Sequence, residues 1–137
     1  FIMADYKKDE KEKVAPWVED INELVTRRQW KRLLTATFVL KLLSESNSYG
    51  NRLEKDIFAR THNTYKPNPN ELYPVLRLLE DKGFVKSQWD SPDKRSRRIY
   101  TITTRGRQAI PYMIEQVLGW LNDFDALIST VREEFAD

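Results

Sequence analysis

The sequence predicts a mainly α-helical protein that carries one small β-hairpin. Three observations lead there. Apolar residues recur at helical spacing through most of the 137-residue chain. Two segments that alternate apolar and polar residues, FVKSQWD and RRIYTIT, flank the polar stretch SPDKRS, the pattern of an antiparallel hairpin. From residue 104 a single apolar seam runs to residue 135 and marks one long helix.

The elements follow in order. Residues 1–15 alternate charge without an apolar stripe and are expected to be flexible, with Met3 as the natural start. Residues 16–29 form an accessory helix: Pro16 opens it, and Trp17, Ile21, Leu24 and Val25 recur at helical spacing. A basic cluster of Arg27, Arg28, Lys31 and Arg32 surrounds Trp30. A strong helix over 30–45 follows, with Leu33, Leu34, Thr37, Phe38, Leu40 and Leu42 on its apolar side. The run YGNRLEKDIFART is a second helix, with Tyr49, Leu53, Ile57 and Phe58 facing inward.

The third helix is the best punctuated. Asn68 is a good N-cap, Pro69 suits the first helical position, and Glu71 is placed to close a capping box. Gly83 ends it. Leu72, Val75, Leu76 and Leu79 make the buried stripe, which leaves Asn70, Tyr73, Pro74, Arg77 and Asp81 nearer the open side. In the hairpin, Val85 and Trp89 alternate with Lys86 and Gln88, and Tyr100 and Ile102 with Thr101 and Thr103. The last helix repeats apolar residues at alternating spacings of four and three: Ile110, Ile114, Val117, Leu121, Phe124, Ile128, Val131 and Phe135. Pro111 is expected to bend this helix or separate its first turn.

Composition narrows the function. Hydrophobic residues at 40% with charged residues at 32% describe a soluble globular chain. The longest apolar run, FVLKLL, is broken by Lys41, so no membrane partner is expected. With no cysteine and no secretory pattern, the expected location is cytoplasmic. A single histidine, His62, and no cysteine exclude a clustered soft metal site or a Cys–His pair. The four glycines are scattered and cradle no phosphate. No catalytic residue, metal or cofactor is expected.

Charge is segregated although the formal net value is only +2. Residues 94–107 hold six basic side chains and no acidic one, whereas the C-terminal helix is acid-rich. Three helices followed by a cationic hairpin are the layout of a winged helix-turn-helix. In that layout the third helix enters a DNA major groove and the hairpin, or wing, tracks the flanking backbone. Lys94, Arg95, Arg97 and Arg98, read as unpaired cations, suit phosphates, and Lys66 adds another in the loop before the third helix. Asn70 and Arg77 carry directional donors suited to base edges, and Tyr73 can reach a sugar or phosphate. The bland readings are a solvated loop for the wing, ordinary packing for Tyr73 and helix-start support for Asn70. The long seam is read as a partner surface, because the rest of the domain is too small to cover it.

Three segments, SYGNRLEKDI, ELYPVLRLLEDKGFVKSQW and RRIYTITTRGRQAI, resemble the PadR family of winged-helix transcriptional regulators over residues 30–135. The first signature is Leu72, Tyr73, Pro74, Leu76, Leu79, Glu80 and Gly83; the second is Tyr100, Ile102, Thr103 and Gly106. The resemblance implies a homodimer that binds double-stranded operator DNA, usually as a repressor. Residues 30–103 would be the DNA-binding domain and residues 104–137 the dimerisation helix of the short type. It places Asn68, Asn70 and Tyr73 on the recognition helix and Tyr49 near the DNA backbone. A two-fold dimer implies a palindromic operator with half-sites ~10 bp apart or a multiple of that. Because some relatives bind planar aromatic compounds at the dimer interface, Tyr112, Met113 and Trp120 are the candidate effector pocket, with interface packing as the alternative. The N-terminal segment exceeds the minimal family domain and is expected to pack against the partner's last helix. The competing functions are an architectural or replication-terminator-like DNA binder and a winged-helix protein-interaction module that binds no DNA.

Overall fold

The computed structural model describes residues 15–22, 30–92 and 97–136. The expected flexible residues 1–14, the later part of the accessory helix and the tip residues Lys94 and Arg95 lie outside the described residues. The elements are α1 (Trp17–Asn22), α2 (Trp30–Glu45), α3 (Gly50–Arg60), α4 (Pro69–Asp81), β1 (Val85–Trp89), β2 (Arg98–Ile102) and α5 (Thr104–Phe135).

Helix α2 is the hub. It packs against α3, α4, α5 and β2, so its burial extends beyond the single apolar side read from sequence. Thr35, Ala36, Val39 and Leu43 are buried together with Leu33 and Leu40. The two buried threonines of this helix are matched: Thr37 donates to the Leu33 carbonyl at 2.7 Å, and Thr35 pairs with the Tyr65 hydroxyl at 2.7 Å.

Helix α4 forms as its punctuation dictates. The Asn68 side chain accepts from the Glu71 amide at 3.0 Å. The Glu71 carboxylate takes the Asn68 side-chain amide at 2.8 Å, closing the turn through the side chain. At the other end Gly83 has φ of +81°, a left-handed conformation that favours glycine. Its amide bonds to Glu80 O at 3.0 Å, and Phe84 N bonds to Leu79 O at 2.9 Å. These paired bonds are a Schellman termination.

The hairpin register pairs Val85 with Ile102, Ser87 with Tyr100 and Trp89 with Arg98. A short bridge adds a third segment: Tyr100 N donates to Ser48 O at 2.7 Å, and Ser48 N returns to Tyr100 O at 3.2 Å. The hairpin is thereby tied to the turn between α2 and α3. Trp89 departs from the expected alternation. It is 59% exposed, and among the described residues the Arg98 guanidinium lies over its ring at 5.0 Å.

Helix α5 starts under tight constraint. The Thr103 hydroxyl accepts from Gly106 N at 3.0 Å and bonds to Gly83 O at 2.7 Å. A Cβ on Gly106 would stand 2.2 Å from the Phe84 carbonyl oxygen. The helix then runs unbroken through Pro111, which neither ends it nor splits off a first turn. Pro111 is exposed, so its ring meets water and the carbonyl it leaves unpaired can be hydrated.

Helix α1 packs on its own chain. Val18 and Ile21 are buried, and Trp17 meets Tyr112 edge-on at 5.6 Å between centroids. Asp20 bonds to Arg105 and to Lys82, the latter at 3.5 Å.

Two predictions follow from this packing. Gly106→Ala forces a methyl against backbone and should cost about 1–3 kcal/mol, read by chemical denaturation. Burial raises the hydroxyl pKa of both Tyr65 and Tyr100. Their contribution is therefore full below the ordinary tyrosine pKa and is lost as pH rises through the raised values. Denaturation midpoints should fall over that alkaline range, and Tyr65→Phe should flatten the fall.

Candidate nucleic-acid interface

The open face of α4 carries Asn70, Tyr73, Pro74 and Arg77, all exposed, while Leu72, Val75, Leu76 and Leu79 are buried behind them. The buried stripe anchors the helix, so the exposed side chains project from a rigid support. Asn68 is exposed but has both ends of its amide engaged with Glu71. Its observed role is to start the helix. Asn70 borders a groove of about 280 Å³ whose rim includes Lys31 and Arg32 from the start of α2. The basic cluster around Trp30 therefore adjoins the leading end of α4. Arg27 and Arg28 lie outside the described residues.

Tyr73 is 41% exposed, and its hydroxyl lies against Gly50, the first residue of α3. A Cβ there would stand 2.4 Å from that oxygen. The neighbouring Tyr49 is the N-cap residue of α3, and no side chain caps that helix. Over the Tyr49 ring stands the Arg97 guanidinium, 4.2 Å from its centroid. The wing base, the start of α3 and the face of α4 are thus contiguous through Arg97, Tyr49, Gly50 and Tyr73.

The cations of this stretch are not all unpaired. Arg97 is 3.6 Å from Asp90 across the hairpin. Arg98 donates from Nε to the Ser87 hydroxyl at 2.7 Å and lies 5.0 Å from the Trp89 ring. Ser87 in turn donates to Glu80 on α4 at 2.6 Å. Lys66 pairs with Glu54 at 3.7 Å and lies over Phe58. Arg97, Arg98 and Lys66 remain exposed, so such pairs are weak enough to exchange for phosphates. Tyr100 stands behind this network. Burial and then the nearby Glu80 carboxylate hold its hydroxyl pKa above the usual tyrosine range.

The seam of α5 divides in two. Ile110 and Val117 pack against the core of their own chain, and Ile114 is half-buried. Phe124 meets Trp30 and Trp120 of the same chain, edge-on at 6.1 and 4.1 Å. Leu121, Ile128 and Val131 are exposed, at 46, 44 and 41%. Leu118, Leu127 and Phe135 are exposed beside them. Leu118 was outside the predicted seam, because its position off the main repeat gave no signal.

The residues expected to line an effector pocket are packed within one chain. Met113 is fully buried, Tyr112 is buried against Trp17, and Trp120 stacks on Trp30 at 5.4 Å. The cleft beside Trp120 amounts to about 10 Å³, too small for an aromatic ligand without rearrangement.

Sequence reasoning missed three supports of this face: Gly50, which makes room for Tyr73; Glu80, which holds Ser87; and Asp90, which meets Arg97. Gly50 and Glu80 both lie in the segments that carry the family resemblance, but their contacts gave no local signal; Asp90 gave none at all.

Comparison with known proteins places this geometry. Residues 39–111 match the transcriptional regulator PadR-like family. An HTH-type transcriptional regulator from Methanocaldococcus jannaschii is 33% identical over 90 residues, 65% of this chain and 72% of that protein. The structure of a transcriptional regulator from Clostridium thermocellum is 29% identical with a TM-score of 0.55, covering 77% of this chain and 96% of its own. Bacillus subtilis PadR in complex with operator DNA shares the fold, with 20% identity and a TM-score of 0.53 over 59% of this chain and 45% of its own. The family match spans both the α4 signature and the start of α5, whose buried leucines, Schellman glycine, Thr103 cap and close-packed Gly106 are the residues that build the winged-helix unit. The chain belongs to the PadR-like family of winged-helix, DNA-binding transcriptional regulators.

Proposed function

We propose that this regulator is a homodimeric repressor that places one α4 in each of two major grooves of a palindromic operator. The observation that carries the reading is the contiguity of Arg97, Tyr49, Gly50 and Tyr73, which makes wing and recognition helix one continuous face. Asn70 and Arg77 supply directional donors for base edges, and the wing cations supply phosphate contacts that carry no sequence information. Lys94 and Arg95 extend that role to the tip.

The dimer reading rests on the far half of α5. Six large apolar side chains between residues 118 and 135 stand exposed on one chain, more contiguous apolar surface than a monomer usually presents to water. The alternating four-and-three spacing suits a second helix of the same kind. An architectural DNA binder would use the same face, and the location of bound sites separates the two functions.

Selection of bound sequences from random duplex DNA should return a two-fold symmetric site with half-sites ~10 bp apart or a multiple of that. Arg77→Ala should change preference at one base position per half-site by ~1–3 kcal/mol. An asymmetric site, or none at low salt, would remove the reading. Leu121→Glu with Ile128→Glu alters only exposed positions and should leave folding intact. Sedimentation should then show a weakened dimer, its dissociation constant raised at least about tenfold, which corresponds to roughly 1.4 kcal/mol.

A further inference from the structure

We propose that Tyr49 is a positioning residue for the wing: its ring holds Arg97 so that the guanidinium edge is open to a DNA phosphate, in a place that Asp90 occupies in the free protein. The inference rests on the DNA-binding role of the family and assigns a function to a contact between two elements.

The geometry has three parts. The Arg97 guanidinium lies 4.2 Å from the Tyr49 ring centroid, well inside the range of a cation–π contact. A stacked guanidinium uses its face and keeps its in-plane N–H donors free, which a lysine could not do. The Asp90 carboxylate faces one of those donors as an ion pair, with Nη2 and Oδ2 3.6 Å apart, longer than a hydrogen bond. A carboxylate and a phosphate oxygen offer a guanidinium the same acceptor chemistry, so an incoming phosphate can replace Asp90 while the ring contact persists. Arg98, the first residue of β2, is held elsewhere, by Ser87 and through it by Glu80. Arg97 and Arg98 are therefore tied to different helices of the helix-turn-helix unit, Arg97 to the start of α3 and Arg98 to the end of α4. The wing angle is set before DNA arrives, which lowers the ordering cost of binding.

The test uses the full chain, the selected operator duplex and two readouts. In the free protein, NMR should show the Arg97 side-chain protons shifted upfield by the Tyr49 ring. The shift should be lost in Tyr49→Leu and kept in Tyr49→Phe. In binding titrations Tyr49→Leu should weaken operator affinity about two- to fivefold, the size of an exposed cation–π contact. Tyr49→Phe should restore most of that loss. Tyr49→Leu combined with Arg97→Gln should be no weaker than Arg97→Gln alone, because both remove one unit. Asp90→Asn should tighten binding, by up to about fivefold for an exposed pair. The proposal is overturned if Tyr49→Phe binds as poorly as Tyr49→Leu, since the hydroxyl would then be the contact. Additive losses in the double variant, or an unshifted Arg97 in the free protein, would overturn it as well. Unchanged or weaker binding by Asp90→Asn would remove Asp90 from it. An upfield-shifted Arg97 in a protein that binds no duplex would instead support the ring contact and sink the DNA-binding role.

Discussion

The Phe84 carbonyl is the point on which the other elements depend. It accepts from Thr103 N at 3.1 Å and from the Thr103 hydroxyl at 3.1 Å, and Gly106 presses against it with no room for a side chain. Phe84 itself is fully buried and follows the left-handed Gly83 that ends α4. The end of α4, the first strand of the hairpin and the start of α5 therefore meet within a few ångströms. A shift at this junction would turn α4, the hairpin and the long helix together. The two sequence signatures of the family converge here for a mechanical reason: one supplies the Schellman glycine, and the other supplies the threonine cap and the close-packed glycine.

Around that junction the wing is fastened by weak contacts in parallel. The Ser48–Tyr100 bridge joins it to the turn before α3, Glu80–Ser87–Arg98 joins it to α4, and Arg97 on Tyr49 joins it to the start of α3. No single one is strong. An exposed cation–π contact is worth about 0.5–1 kcal/mol and a typical hydrogen bond about 0.5–1.5 kcal/mol net. Their value is geometric, because three attachments in different directions determine an angle that one attachment would leave loose. The same weakness suits them to a DNA-binding face. Cations held too firmly by carboxylates would not exchange them for phosphates.

Helix α5 has two duties along one seam. Its first half completes the domain: Ala109, Tyr112, Met113 and Gln116 are buried, and Trp17 and Trp30 close over it from α1 and α2. Its second half projects beyond the domain with its apolar side chains exposed. The change occurs at the Trp30–Trp120–Phe124 cluster, where the chain's own aromatic residues stop covering the helix. A dimer formed through the far half would hold the two DNA-binding units by a rigid rod continuous with the Phe84 junction.

Much of this architecture was legible in the sequence because it is local. Helix α4 could be read to the residue, since Asn68, Pro69 and Gly83 act on backbone groups within four positions of themselves. The hairpin followed from alternation and the long helix from its repeat, both of which reflect burial along one element. What covers each face was not legible. Periodicity marked Ile110 and Phe124 as apolar-facing, but the tertiary structure decided that their own chain packs against them. It also turned Trp89 outward, filled the space around Tyr112 and Met113, and gave Arg97 and Arg98 their partners. The physical reason is range. Hydrogen-bonded caps and turns and the phase of a hydrophobic repeat are set by neighbours a few residues apart. Which side chain meets which across a core or a cation network depends on how helices distant in sequence come together, and no local pattern carries that information.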